Sequence, residues 1–143
     1  MREILFRGKQ FGKGEWAEGF YVKCRGHYYI LPVYDTDHGF DERYSNWIEV
    51  DSETVCQYTG LTDKNGRKIF EGDIVKDILN PIVGIVRYGR YRNTFNEDGY
   101  GGHVGFYIEW KEKSDSLRKD LVYWVNESYF IGNIFDNPEL IGE

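Results

Sequence analysis

No stretch of this chain keeps apolar residues at a 3.6-residue spacing for three turns, which argues against a helical fold. Apolar residues come instead in short runs rich in Tyr, Phe, Ile and Val, each closed by a glycine-bearing turn. The densest punctuation lies between Glu53 and Lys76. There Asp63-Lys64-Asn65-Gly66 is a tight-turn sequence, because Asn-Gly accepts the positive φ angles such turns need. Ile69 and Phe70 follow as apolar anchors, and Glu71-Gly72-Asp73 forms a second turn opening onto the strand formers Ile74 and Val75. A chain cut into about ten short strands in this way predicts an all-β fold of barrel or sandwich type.

Taken in order, Ile4–Arg7 is a short strand ended by Gly8. Trp16–Val22 is a second strand, near a sheet edge, with Trp16, Glu18, Phe20 and Val22 on one face. After the Arg25-Gly26 turn, His27–Val33 is a third strand that Pro32 brings to its end. Asp35–Asn46 is a polar loop, and Trp47–Val50 returns to strand character. Beyond the central turns, Asp73–Ile78 is a strand, and Ile82–Tyr88, the most β-branched run, is a central one. Arg90–Gly102 reads as a polar loop, and Val104–Trp110 as a strand with Phe106, Ile108 and Trp110 on one side. Lys111–Asp120 is charged, either loop or short helix. Leu121–Val125 and Tyr129–Ile131 read as strands, and Asn137-Pro138-Glu139-Leu140 as a turn or single helical turn.

Composition narrows the function classes. A formal net charge of −6 over 143 residues is not that of a generic phosphate-tracking protein. Cys24 and Cys56 are far apart, with no CxxC, and read as two buried thiols in a reducing cytoplasm. The amino terminus carries no signal-peptide core, and no run approaches the roughly 18 apolar residues of a membrane helix, so a cytoplasmic location is expected. His27, His38 and His103 share no metal-ligand spacing. Asp35-Thr36-Asp37 begins like a calcium loop. Gly39, Phe40 and Asn46 then occupy the places where that loop needs a ligand, a glycine and a bidentate Glu. Gly99–Gly105 is glycine-rich but has neither the Lys-Ser/Thr of a P-loop nor a following helix. No enzyme, metal or cofactor is expected. One basic-aromatic run stands out: Arg87, Tyr88, Arg90, Tyr91 and Arg92. Its bland reading is a solubilising strand end, with Tyr covering core and Arg paired to acids such as Glu97 and Asp98. The alternative is a nucleic-acid contact, in which Arg holds phosphates and Tyr stacks on bases.

The central block, Thr54–Gly66 followed by Ile69–Val75, resembles the hallmark of the YopX family, small proteins encoded by bacteriophages and prophages. Met1–Lys9, Gly14-Glu15-Trp16 with Gly19–Val22, and Ile131–Leu140 resemble it too, so the resemblance spans the chain. It implies a mostly β protein, part of it resembling an SH3-like barrel, with no settled molecular function and no catalytic residues to carry over. Where this chain has Cys56, relatives carry a small residue, which speaks against a chemical role for that thiol. The signature residues Gly60, Asp63, Asn65, Gly66, Glu71, Gly72 and Asp73 read as architectural, with a binding surface as the alternative. The resulting expectation is an N-terminal β-meander over residues 1–53 packed on an SH3-like small β-barrel over residues 54–143, or one compact domain over the whole chain. It is expected to act as a non-enzymatic phage or prophage accessory module that binds an unidentified phage or host protein or associates with itself.

Overall fold

The computed structural model describes residues 3–32, 47–93, 102–111 and 117–142. The expected Asp35–Asn46 loop, including His38, and the Gly99–Gly101 part of the glycine-rich run lie outside the described residues, as do Glu97 and Asp98. The protein is nearly all β and holds two antiparallel sheets. It divides into two units, Met1–Gly60 and Leu61–Glu143. Among the described residues no helix is long and apolar enough to cross a membrane.

In the first unit β1 (Phe6–Lys9), β2 (Trp16–Cys24), β3 (His27–Pro32), β4 (Ile48–Glu49) and β5 (Cys56–Thr62) take the order β4-β3-β2-β1-β5. The β2–β3 hairpin closes as its sequence predicts. Arg25 and Gly26 take φ of 52° and 80°, the paired positive values of a two-residue connection whose twist matches its strands. Two expectations are corrected here. The β1 strand does not stop at Gly8, which pairs with Ala17 inside it. The β2 strand is interior, and its core-facing residues are Ala17 and Tyr21, while Phe20, on the face with Trp16, is exposed. Ala17 packs with Ile30 and Val50 in this unit's core. The larger Trp16 instead lies under the Arg7 guanidinium, 4.7 Å from its ring centre, so apolar bulk did not identify the inner face.

The β5 strand continues past Gly60, and its far end pairs with β6 (Lys68–Phe70) in the second unit. There β7 (Asp73–Asp77), β8 (Val83–Tyr91), β9 (His103–Trp110) and β10 (Ser128–Asn133) form a sheet in the order β10-β7-β8-β9. β8 is flanked on both sides, as its β-branched run predicts. Alternation sends Val86 and Ile85 to opposite faces. Val86 joins Ile69, Val75, Ile108, Leu121 and Trp124 in the main core, while Ile85 joins Ile74 and Ile141 in a second cluster. Phe106 and Trp110 pack beside Ile108 on the main core, as the spacing in β9 predicts. The Asn137–Leu140 turn is a 3-10 turn over Pro138–Ile141 that places Ile141 in the second cluster.

The expected strand at Leu121–Val125 is instead a single α-helical turn, α1 (Leu121–Trp124). Strand propensity loses because the two side chains that the core takes are three apart. Leu121 and Trp124 are buried, while Val122 and Tyr123 between them are exposed. A strand would have put Leu121 and Trp124 on opposite faces.

Ile108→Ala removes a side chain with no exposed surface, and an unfolding free energy lower by about 2–5 kcal/mol is expected for the second unit. Val122→Ala, at a residue 68% exposed, is expected to stay within about 0.5 kcal/mol. Urea unfolding followed by Trp fluorescence reads both. A strand in place of α1 would reverse the roles of Val122 and Leu121.

Candidate functional site

Two groups of residues concentrate polar chemistry in the second unit: the turns around β6 and the outer end of the β8–β9 ribbon. At the first, Asp63 is buried and its carboxylate accepts the backbone N–H groups of Asn65 (2.8 Å) and Arg67 (2.9 Å). The Arg67 guanidinium adds a contact at 3.3 Å. Gly66, at φ 82°, donates its N–H to the Asp63 carbonyl. In the next turn the Asp73 carboxylate accepts the Phe70 N–H at 2.8 Å. Gly72, at φ 90°, donates to the Val86 carbonyl and accepts from the Ile134 N–H, which joins the turn to β8 and to the chain beyond β10. Glu71 is half-buried beside it, and Gly60, at φ 87°, lies within β5. Burial pushes the Asp63 carboxyl upward, but the Arg67 and Asn65 amides and the Arg67 side chain outweigh it and hold the group below the usual carboxylate range.

At the second place the expected polar loop from Arg90 is corrected: β8 runs on through Tyr91. Cross-strand pairs are Tyr88 with Phe106, Arg87 with Tyr107, Arg90 with Val104 and Tyr91 with His103. The basic-aromatic run is therefore split by the pleat. Tyr88 and Arg90 share one face with Phe106 and Val104; Arg87 and Tyr91 share the other with Tyr107 and His103. Tyr88 meets Phe106 edge to face at 5.0 Å, and Tyr91 stacks on Tyr107 at 5.2 Å. Arg87 reaches Glu109 at 3.2 Å.

The extended residues Arg118–Asp120 lie against this ribbon. The Arg118 carbonyl accepts both indole N–H groups of Trp110 and Trp124, at 2.8 and 2.7 Å. The Lys119 carbonyl accepts the Ile108 N–H at 2.9 Å, and the Lys119 N–H donates to Asn93 Oδ1 at 2.8 Å. The Asp120 carboxylate accepts from Tyr91 Oη (3.0 Å), Asn93 Nδ2 (2.8 Å) and Arg118 Nε (3.3 Å). Burial raises the Asp120 carboxyl, but these donors and the Arg118 charge win and leave it below its ordinary value. Arg90, Tyr91, Arg92 and Lys119 then line an open concavity of about 390 Å³. The sequence run thus contributes Arg90, Tyr91 and Arg92 to it, and the structure leaves Arg87 and Tyr88 out. Lys119, Asn93 and Asp120 carry no local signal in the sequence, since Asn93 meets Lys119 and Asp120 across 26 and 27 residues.

Among the described residues no group of three His, Cys, Asp or Glu is placed to hold a metal ion. Cys56 is buried and donates to the Thr54 carbonyl at 3.3 Å; Cys24 is exposed, which corrects the expectation of two buried thiols.

The sequence matches the family described as "YopX protein" over residues 5–142. The chain belongs to the YopX family. Its fold is similar to that in the crystal structure of protein EF1440 from Enterococcus faecalis, with a TM-score of 0.53 and 20% identity, over 99% of each chain. No curated protein matches it.

Asp63 and Asp120 both have depressed carboxyl pKa values. Their stabilisation is complete above the unfolded-state value of about 4 and is lost as pH falls through the lower folded values. Asp63→Ala is expected to cost about 1–3 kcal/mol at neutral pH and to flatten the loss of stability below about pH 4. Urea midpoints between neutral pH and pH 3 check this. An unchanged slope on the acid side would rule out the Asp63 contribution.

Proposed function

We propose that this YopX-family chain is a non-enzymatic accessory protein of phages and prophages, acting in the cytoplasm as a binding module that associates with itself. The phage context follows from the family resemblance. The reading without chemistry is supported by what the buried and half-buried carboxylates do. Asp63, Asp73 and Asp120 each accept hydrogen bonds that hold turns or neighbouring segments, and two of them are held in the charged form. We also propose an SH3-like barrel for the second unit. Ile69 of β6 shares one core with Val75, Val86 and Ile108 of β7, β8 and β9, as the inner face of a closed barrel requires.

One observation carries the self-association reading: exposed apolar side chains stand on an edge ribbon. Tyr88 and Val104 are 58% and 64% exposed. β9 is the last strand of its sheet. Among the described residues, the outer side of β9 meets residues 119 and 120 only around Tyr107 and Ile108, away from Val104. A second copy laid antiparallel along β9 at Val104–Phe106 would extend the sheet and cover Val104. Two identical edges meeting this way give a closed two-fold dimer.

A second reading, nucleic-acid binding, draws on the concavity of Arg90, Tyr91, Arg92 and Lys119.

Light scattering across a dilution series is expected to give a dimer mass for the native chain and a monomer mass for Val104→Lys, because a lysine on an edge strand opposes pairing. A native chain that stays monomeric at all concentrations would overturn self-association. Loss of a co-purifying protein in Val104→Lys would then assign the same patch to a different partner.

A further inference from the structure

We infer that the concavity at the end of β8 is a phosphate site for single-stranded nucleic acid, and that Lys119, outside the basic-aromatic run, is one of its cationic contacts. The inference rests on the nucleic-acid reading and deepens it. Among the described residues, three of the four that line it, Arg90, Arg92 and Lys119, are cations, and the fourth is Tyr91. In a chain of net charge −6 such a set is a local departure, and it focuses attraction for a polyanion on one place.

Lys119 is held where it is needed. Both polar groups of its backbone are engaged, the N–H by Asn93 and the carbonyl by the Ile108 N–H. Asn93 is 2% exposed, so this anchor is interior and its amide is shared between Lys119 and Asp120. The neighbouring carboxylate of Asp120 does not line the concavity, and its charge is met by Tyr91, Asn93 and Arg118. Asn93 and Asp120 therefore act as positioning residues: they fix the relative placement of two segments that supply cations from different parts of the chain.

The ligand class follows from size and lining. A volume of about 390 Å³ falls within the roughly 300–1,000 Å³ typical of ligand sites and holds one small group such as a phosphate. Tyr91 supplies the aromatic wall, backed by Tyr107 and His103 at 5.2 and 5.3 Å. Cations for phosphate beside an aromatic wall for a base form the combination that single strands use.

The test is fluorescence anisotropy with a short labelled oligothymidylate, at about 50 mM salt and above. Three cations predict a plot of log affinity against log salt with slope near −2, from about −0.7 per phosphate on a single strand. Lys119→Ala is expected to weaken binding roughly tenfold at low salt and to make the slope shallower by about 0.7, with Lys119→Arg restoring both. Full-strength binding by Lys119→Ala, with loss in Arg90→Ala and Arg92→Ala, would remove Lys119 and leave the nucleic-acid reading standing. No binding by the native chain at low salt would remove both. Equal competition by oligoglutamate would overturn the nucleic-acid assignment in favour of an acidic peptide.

Discussion

The second unit depends on how three consecutive residues, Arg118 to Asp120, are pinned. Two indole N–H groups converge on one carbonyl, that of Arg118, while Trp110 and Trp124 pack edge to face at 4.8 Å. Buried indoles need acceptors, and here one peptide oxygen serves both. The next residue is tied at its N–H and its carbonyl, and the one after that by its carboxylate. The consequences reach in two directions. Inward, the chain enters α1 at the register that buries Leu121 and Trp124. Outward, the end of β8 is closed by Asn93, and a cationic concavity forms where two distant segments meet.

The same physical rule governs the other turns. A chain of short strands must satisfy the peptide groups that leave the ladders, and an unmet buried donor costs more than a typical bond contributes. Asp63 takes two such donors, and Asp73 takes the Phe70 N–H. Each carboxylate is short enough to bond its own turn, which is why Asp occurs there rather than Glu. The conformation at Gly72 does the remaining work, presenting its N–H to β8 and its carbonyl to Ile134.

The charge distribution gives the surfaces different characters. Overall acidity discourages loose attachment to polyanions. Against that background one face of the ribbon carries Arg90 beside the exposed Tyr88 and Val104, Tyr91 lies on the other face, and Lys119 joins the cations from a separate segment. The ribbon extends past the buried pair Val86 and Ile108, and of its outer residues Tyr88 and Val104 are exposed.

The amino-acid sequence by itself determined the β character, the positions of the tight turns, the central place of β8 and the family, because these rest on local preferences: positive φ at turn glycines such as Gly26 and Gly66, β-branching and alternation. It misplaced α1, since Leu121–Val125 has strand propensity and only the spacing of the core-facing pair decides for a helix. It placed β2 near a sheet edge, whereas β1 and β3 flank it, since strand order rests on long-range pairing. The candidate site was half legible. Arg90, Tyr91 and Arg92 are contiguous and announce themselves by composition. Lys119 joins them through an amide at Asn93, 26 residues away, and no local rule reads such a pairing. Tertiary structure alone decided which cations meet, because long-range hydrogen bonds to one buried side chain, not the order of residues, set the distance between the two segments.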